Sequence, residues 1–153
     1  MPFKKILVPT DFSDNSRDAL DYAVQLAEKF DASILLLHVQ TTADMVPMGI
    51  DGMEAVSEAY ANLLANYERE AMNTMKAALA PFEGRCAGAT CELVSGVPYH
   101  AILEVAAEQH ADLIVMGTHG RGLIKRFLLG SQADRVVRGA SCPVMTVRQR
   151  NVD

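Results

Sequence analysis

Two short stretches, SILLLHV at 33–39 and LIVM at 113–116, are apolar at nearly every consecutive position and rich in branched side chains. A strand with one wet face alternates polar and apolar residues. A strand without that alternation is covered on both sides, as in a parallel sheet sandwiched between helices. Shorter runs at 6–8 and 144–147, and a weaker one at 88–94 (GATCELV), read as three further strands.

The segments between these runs carry helical spacing. Leu20, Ala23, Val24, Ala27 and Phe30 recur every three or four residues, as one buried helix face requires, and Ser13 followed by Asp14 suits the start of that helix. Met53, Val56, Tyr60, Leu63, Leu64, Tyr67, Ala71, Met75 and Leu79 keep the same spacing for about seven turns, until Pro81 and Gly84 end it. The Met and Tyr side chains in that stripe read as core or dimer surface rather than as a cofactor box. A third helix is predicted over 98–109, with Ile102, Val105 and Ala106 inward. A fourth is predicted from Ser131, with Ala133, Val136, Val137 and Ala140 on one face. Strand and helix alternating four times, closed by a fifth strand, specify an α/β fold: a doubly wound, mostly parallel five-stranded sheet with four helices on both faces. At 153 residues the whole chain, 1–153, is expected to form a single domain.

A net charge of −5 argues against a broad nucleic-acid or membrane-surface footprint, so any anion site must be local. Cys86, Cys91 and Cys142 form no C-x-x-C pair and have no metal-spaced histidine nearby, which fits reduced thiols. The opening MPFKKILVPTDF lacks a secretory apolar core, and no run reaches membrane-spanning length. A soluble, cytoplasmic protein with no nucleic-acid partner and no membrane insertion is expected.

In a doubly wound sheet, ligands bind beyond the carboxyl ends of the strands, where the strand order reverses. The loops that fall there are PTDFSD after the first strand and GTHGRG after the fourth. Neither G-x-G-x-x-G after the first strand nor G-x-x-x-x-G-K-[ST] is present, which weakens NAD and P-loop readings. The second loop places Gly117, Gly120 and Gly122 directly after a buried strand, and Gly130-Ser131 opens the next helix. Glycines allow positive φ and close approach of backbone to a ligand, and helix-start N–H groups with the Ser131 hydroxyl suit phosphate oxygens. Residues 113–133 contain Arg121, Lys125 and Arg126 and no acidic residue. The competing reading is that these glycines turn a loop and Ser131 caps a helix.

Gly117-Thr-His-Gly120, nine residues, then Gly130-Ser131 is similar to the G-2x-G-9x-G-(S/T) signature of the ATP-binding branch of the universal stress protein family. The resemblance extends to KKILVPTDFSDNSRDALDYA, the HV ending of the second strand, the SGVP turn at 95–98 and the closing SCPVMTV. It implies a Rossmann-like sheet of order 3-2-1-4-5, ATP with magnesium across the switch point, and a homodimer paired through the last strand, with higher oligomers and a protein partner left open. By the same resemblance Gly117, Gly120, Gly130 and Ser131 hold phosphates and part of the ribose. Pro9, Thr10 and Asp11 flank the nucleoside, with Asp11 near ribose hydroxyls or the metal. The backbone of Val39 meets the adenine edge, and Met116 and Gln132 complete the set. The chain departs from the pattern at Gln132 and Ala133, where a second hydroxyl residue is common, which leaves Gln132 to offer its backbone N–H.

Asp11 has a local reading too, as a cap for the helix that follows. His119 reads as an exposed loop residue rather than a phosphoryl acceptor, His38 as a hydrogen-bonded wall residue rather than a metal ligand, and His100 and His110 as helix-surface positions. No ligand cluster surrounds any of them. Three functions stay open at this point. One is a nucleotide-dependent regulatory dimer in a stress response. Another is a slow ATPase or autophosphorylating protein using a residue such as Ser131 or His119. The last is a nucleotide-free dimeric adaptor working through the Met-rich segment from Met45 to Met53, which overlaps the irregular 41–52 connection, a candidate lid or partner loop.

Overall fold

In a computed structural model, residues 2–41, 54–119 and 129–150 are described, with side chains from 58 onward in the second segment. The elements are β1 (Lys5–Pro9), α1 (Asp14–Phe30), β2 (Ser33–Gln40), α2 (Glu54–Leu79), a 3-10 turn (Ala80–Phe82), β3 (Gly88–Ser95), α3 (Pro98–Glu108), β4 (Leu113–Gly117), α4 (Ser131–Gly139) and β5 (Val144–Val147). All strand pairs are parallel, in the order β3-β2-β1-β4-β5. The fold is therefore the expected doubly wound, Rossmann-like α/β sheet.

The pleat explains why the buried runs lack alternation. Ile6, Val8, Ile34, Leu36, Leu113 and Val115 point to one face, where Ala19, Leu20, Ala23, Val24 and Ala27 of α1 and Met75 and Leu79 of α2 cover them. Leu7, Leu35, Leu37, Val39, Ile114 and Met116 point to the other, against Ala101, Ile102, Val105 and Ala106 of α3 and Ala133 and Val136 of α4. Each strand thus contributes to two cores. Ser13 caps α1, its hydroxyl accepting the Ser16 N–H at 3.2 Å.

Several expectations are corrected. Val137 is 45% exposed, because α4 lies at the end of its layer and buries only Ala133 and Val136. Ala140 falls just past the helix, half-buried against the second core. Among its described side chains, the long stripe on α2 is buried only from Ala71 onward, where the helix lies on the sheet. Leu63 is 52% exposed, and Tyr60, Leu64 and Tyr67 are half-buried. His110 is past the end of α3, at φ 53°, rather than on the helix surface. Met53 and the 42–52 connection lie outside the described residues.

Burial raises the thiol pKa of Cys91 and of Cys142, the opposite of what a reactive thiol needs. Among the described residues no group of three or more His, Cys, Asp or Glu side chains is placed to hold a metal, and no helix is long and apolar enough to cross a membrane.

Candidate nucleotide site

β1 sits at the centre of the sheet, with β2 on one side and β4 on the other. The chain winds away from it in both directions, so the loops after β1 and β4 diverge and leave a crevice between them. A cavity of about 300 Å³ fills that crevice. Nine of the ten residues expected at a site line it: Pro9, Thr10, Asp11, Val39, Met116, Gly117, Gly130, Ser131 and Gln132. The tenth, Gly120, lies outside the described residues, as do Gly122, Arg121, Lys125 and Arg126. Leu37, Pro98 and Ile102 add an apolar wall from β2 and α3.

The β1 loop is held by short-range hydrogen bonds. The Ser16 hydroxyl donates to the Ser13 carbonyl at 2.8 Å, so it is the Thr10 hydroxyl that donates to Ser16 Oγ at 3.0 Å. Thr10 Oγ1 also accepts the Phe12 N–H at 3.1 Å, and Asp11 Oδ1 accepts the Ser13 N–H at 3.0 Å. Asp11 therefore braces the start of α1, as its local reading expects, and also faces the cavity.

The β4 loop is held by a residue that the sequence reading missed. Asn15, only 4% exposed, donates from Nδ2 to the Val147 carbonyl at 2.8 Å and accepts the His119 N–H on Oδ1 at 3.0 Å. Its signal lies in the period of α1: three to four residues before Ala19 the buried stripe reaches Asn15 and Ser16. His119 is half-buried rather than exposed, with Nδ1 2.9 Å from Thr118 Oγ1.

The glycines have a different reason from the one expected. Gly130 has φ −58°, and Gly117 is not among the positive-φ glycines. A Cβ on Gly117 would stand 2.5 Å from Asn15 Oδ1, and one on Gly130 would stand 2.8 Å from the Thr118 carbonyl oxygen, which accepts the Gly130 N–H at 2.6 Å. Close approach of the chain to itself fixes both positions as glycine.

Gly130, not Ser131, is the N-cap of α4, and no side-chain cap closes the first turn. The first-turn N–H groups stand at the cavity edge with the positive end of the helix dipole. The Gln132 side chain turns instead to α3, where Oε1 accepts the Tyr99 N–H at 2.9 Å in place of the cap that Val97 does not supply. Arg135 packs over the Tyr99 ring, 4.8 Å from its centroid, and adds a second tie between the two helices. Gln132→Ala is therefore expected to cost about 1 kcal/mol of stability, the worth of an N-cap, in urea unfolding.

A family model described as Universal stress protein family matches residues 2–148. Universal stress protein MJ0531 of Methanocaldococcus jannaschii is 37% identical over 148 residues, covering 96% of this chain and 83% of that protein. The solved structure of hypothetical protein MJ0577 superposes with a TM-score of 0.83 at 29% identity, covering 99% of each chain. A universal stress protein solved in complex with cAMP gives a TM-score of 0.64 at 28% identity, over 98% of this chain and 100% of the other.

Proposed function

Because the chain belongs to the universal stress protein family, we propose that it is an ATP-binding regulatory protein that works as a cytoplasmic homodimer, with the whole chain acting as one nucleotide-binding domain. The observation that carries this reading is the uncapped N-terminus of α4, opening onto a crevice whose far wall is the apolar surface of Leu37, Val39, Ile102 and Met116. Phosphate suits the first feature and a purine base the second. A structurally similar universal stress protein is solved with cAMP, also an adenine nucleotide.

Among the described residues Asp11 is the one carboxylate on the cavity, too few ligands for a protein-built magnesium site. Magnesium would therefore arrive with the phosphates and complete its shell from Asp11 and water. Among the described residues β5 is an edge strand with Thr146 exposed, and its outer side suits pairing with the same strand of a second copy.

The test is a thermal-shift titration of the purified, nucleotide-stripped protein with ATP and magnesium, beside AMP, NAD and no ligand. At about a hundredfold over its dissociation constant, ATP should add roughly 2.7 kcal/mol, a rise of roughly 5 to 10 °C for a chain of this size. Equal midpoints in all four samples would overturn the proposal.

A further inference from the structure

The cavity lies on the α3/α4 face of the sheet, so Leu37 and Val39 of β2 point toward it and His38 points away. His38 is only 5% exposed, and both ring nitrogens are engaged. Nδ1 lies 2.8 Å from the Thr10 carbonyl oxygen. A carbonyl only accepts, so Nδ1 carries the hydrogen, and in the neutral ring Nε2 accepts from the Tyr67 hydroxyl of α2, 3.1 Å away. The imidazole also packs on Phe12, with ring centroids 4.3 Å apart. Phe12 has φ 66°, in the left-handed region that a bulky side chain adopts only when its surroundings impose it.

Thr10, Asp11 and Phe12 form one turn. Thr10 and Asp11 line the cavity, while the Thr10 carbonyl and the Phe12 ring rest on His38 beneath it. We infer that His38 is a positioning residue that holds this turn in its nucleotide-facing shape and, through Tyr67, couples it to α2. The inference rests on the nucleotide reading above and names the element through which occupancy is felt. A ligand that tightens the turn tightens the Thr10–His38–Tyr67 chain and damps opening of α2 around Tyr67. By reciprocity, loosening Tyr67 weakens the ligand by the same factor. Tyr67 does not line the cavity, and its hydrogen bond to His38 is the route by which its effect reaches the turn.

The experiment compares the full-length protein with Tyr67→Phe, which deletes one hydroxyl and keeps the ring. Loss of the hydrogen bond to His38 is expected to weaken ATP binding about fivefold. Hydrogen exchange should show ATP slowing the amides of α2 around Tyr67 in the parent protein. In Tyr67→Phe that slowing should vanish while it persists at Ser131 and Gln132. Nitrogen-15 spectra of the histidine rings should show His38 as the Nδ1–H tautomer, with the Nε2 signal displaced by Tyr67→Phe. A purely structural Tyr67 would lower the melting temperature yet leave the ATP response of α2 in place, and that result overturns the coupling. An Nε2–H tautomer overturns it without any nucleotide present. A parent protein indifferent to ATP removes the nucleotide reading and this coupling with it, whereas a parent that binds ATP beside an unchanged Tyr67→Phe removes the coupling alone.

Discussion

Ser131→Asp is expected to leave the fold intact and to weaken ATP binding roughly a hundredfold. Ser131 is exposed, is the first residue of α4 and makes no capping hydrogen bond there. A carboxylate at a helix N-terminus interacts favourably with the dipole, by about 0.3–1 kcal/mol, so the melting temperature of the free protein should stay level or rise slightly. The same carboxylate stands at the cavity edge, where phosphate is placed. At about 6 Å from a single phosphate charge and an effective dielectric of about 20, repulsion costs about 2.8 kcal/mol, which is roughly a factor of a hundred in affinity. Ser131→Ala serves as the control, losing a hydroxyl without adding charge. Stability and affinity moving in opposite directions identify α4 as the anion-binding element. If ATP binds Ser131→Asp as tightly as the parent, phosphate is not held at α4.

The architecture was legible because its strongest signal, strands buried on both faces, is a property of the chain alone. SILLLHV and LIVM admit few other environments, and their separation by helical spacing leaves little choice of layer order. The candidate site was legible for a related reason: a doubly wound sheet has one switch point, and the loops after β1 and β4 must meet there. What was not legible depends on which element meets which. Val137 shares the helical spacing of Val136, and only the position of α4 at the end of its layer leaves it exposed. Gln132 is expected to offer its backbone N–H, and nothing in the sequence announces that its side chain serves α3, which begins beside it without a side-chain cap of its own. The stripe on α2 runs the length of the helix in sequence, but among the described side chains only those from Ala71 onward are buried.

The glycine loop shows the same division, and a double substitution separates its two explanations. The sequence offers two readings of Gly117, close approach to a ligand or the turning of a loop. The structure adds a third, close approach of the protein to itself: the missing Cβ would stand 2.5 Å from Asn15 Oδ1, 2.8 Å from Cγ and 3.3 Å from the Asn15 carbonyl carbon. The Asn15 amide cannot swing aside freely, because it holds both Val147 and His119. Gly117→Ala should therefore cost about 3 kcal/mol, combining overpacking with a displaced buried amide. Asn15→Ala alone should cost about 2 kcal/mol, chiefly by leaving the His119 N–H without its acceptor. In the double variant the Oδ1 and Cγ contacts have gone and only the 3.3 Å approach to the Asn15 carbonyl carbon remains, so the total should stay near about 3 kcal/mol rather than reach about 5, a coupling of roughly 2 kcal/mol in urea unfolding. Costs that simply add would mean that Asn15 is not what excludes a side chain at Gly117. Measuring ATP affinity in the same four proteins then isolates the ligand's own demand: if Gly117→Ala still weakens binding where Asn15 is already alanine, the nucleotide needs the glycine as well, and the loop serves packing and recognition with one residue.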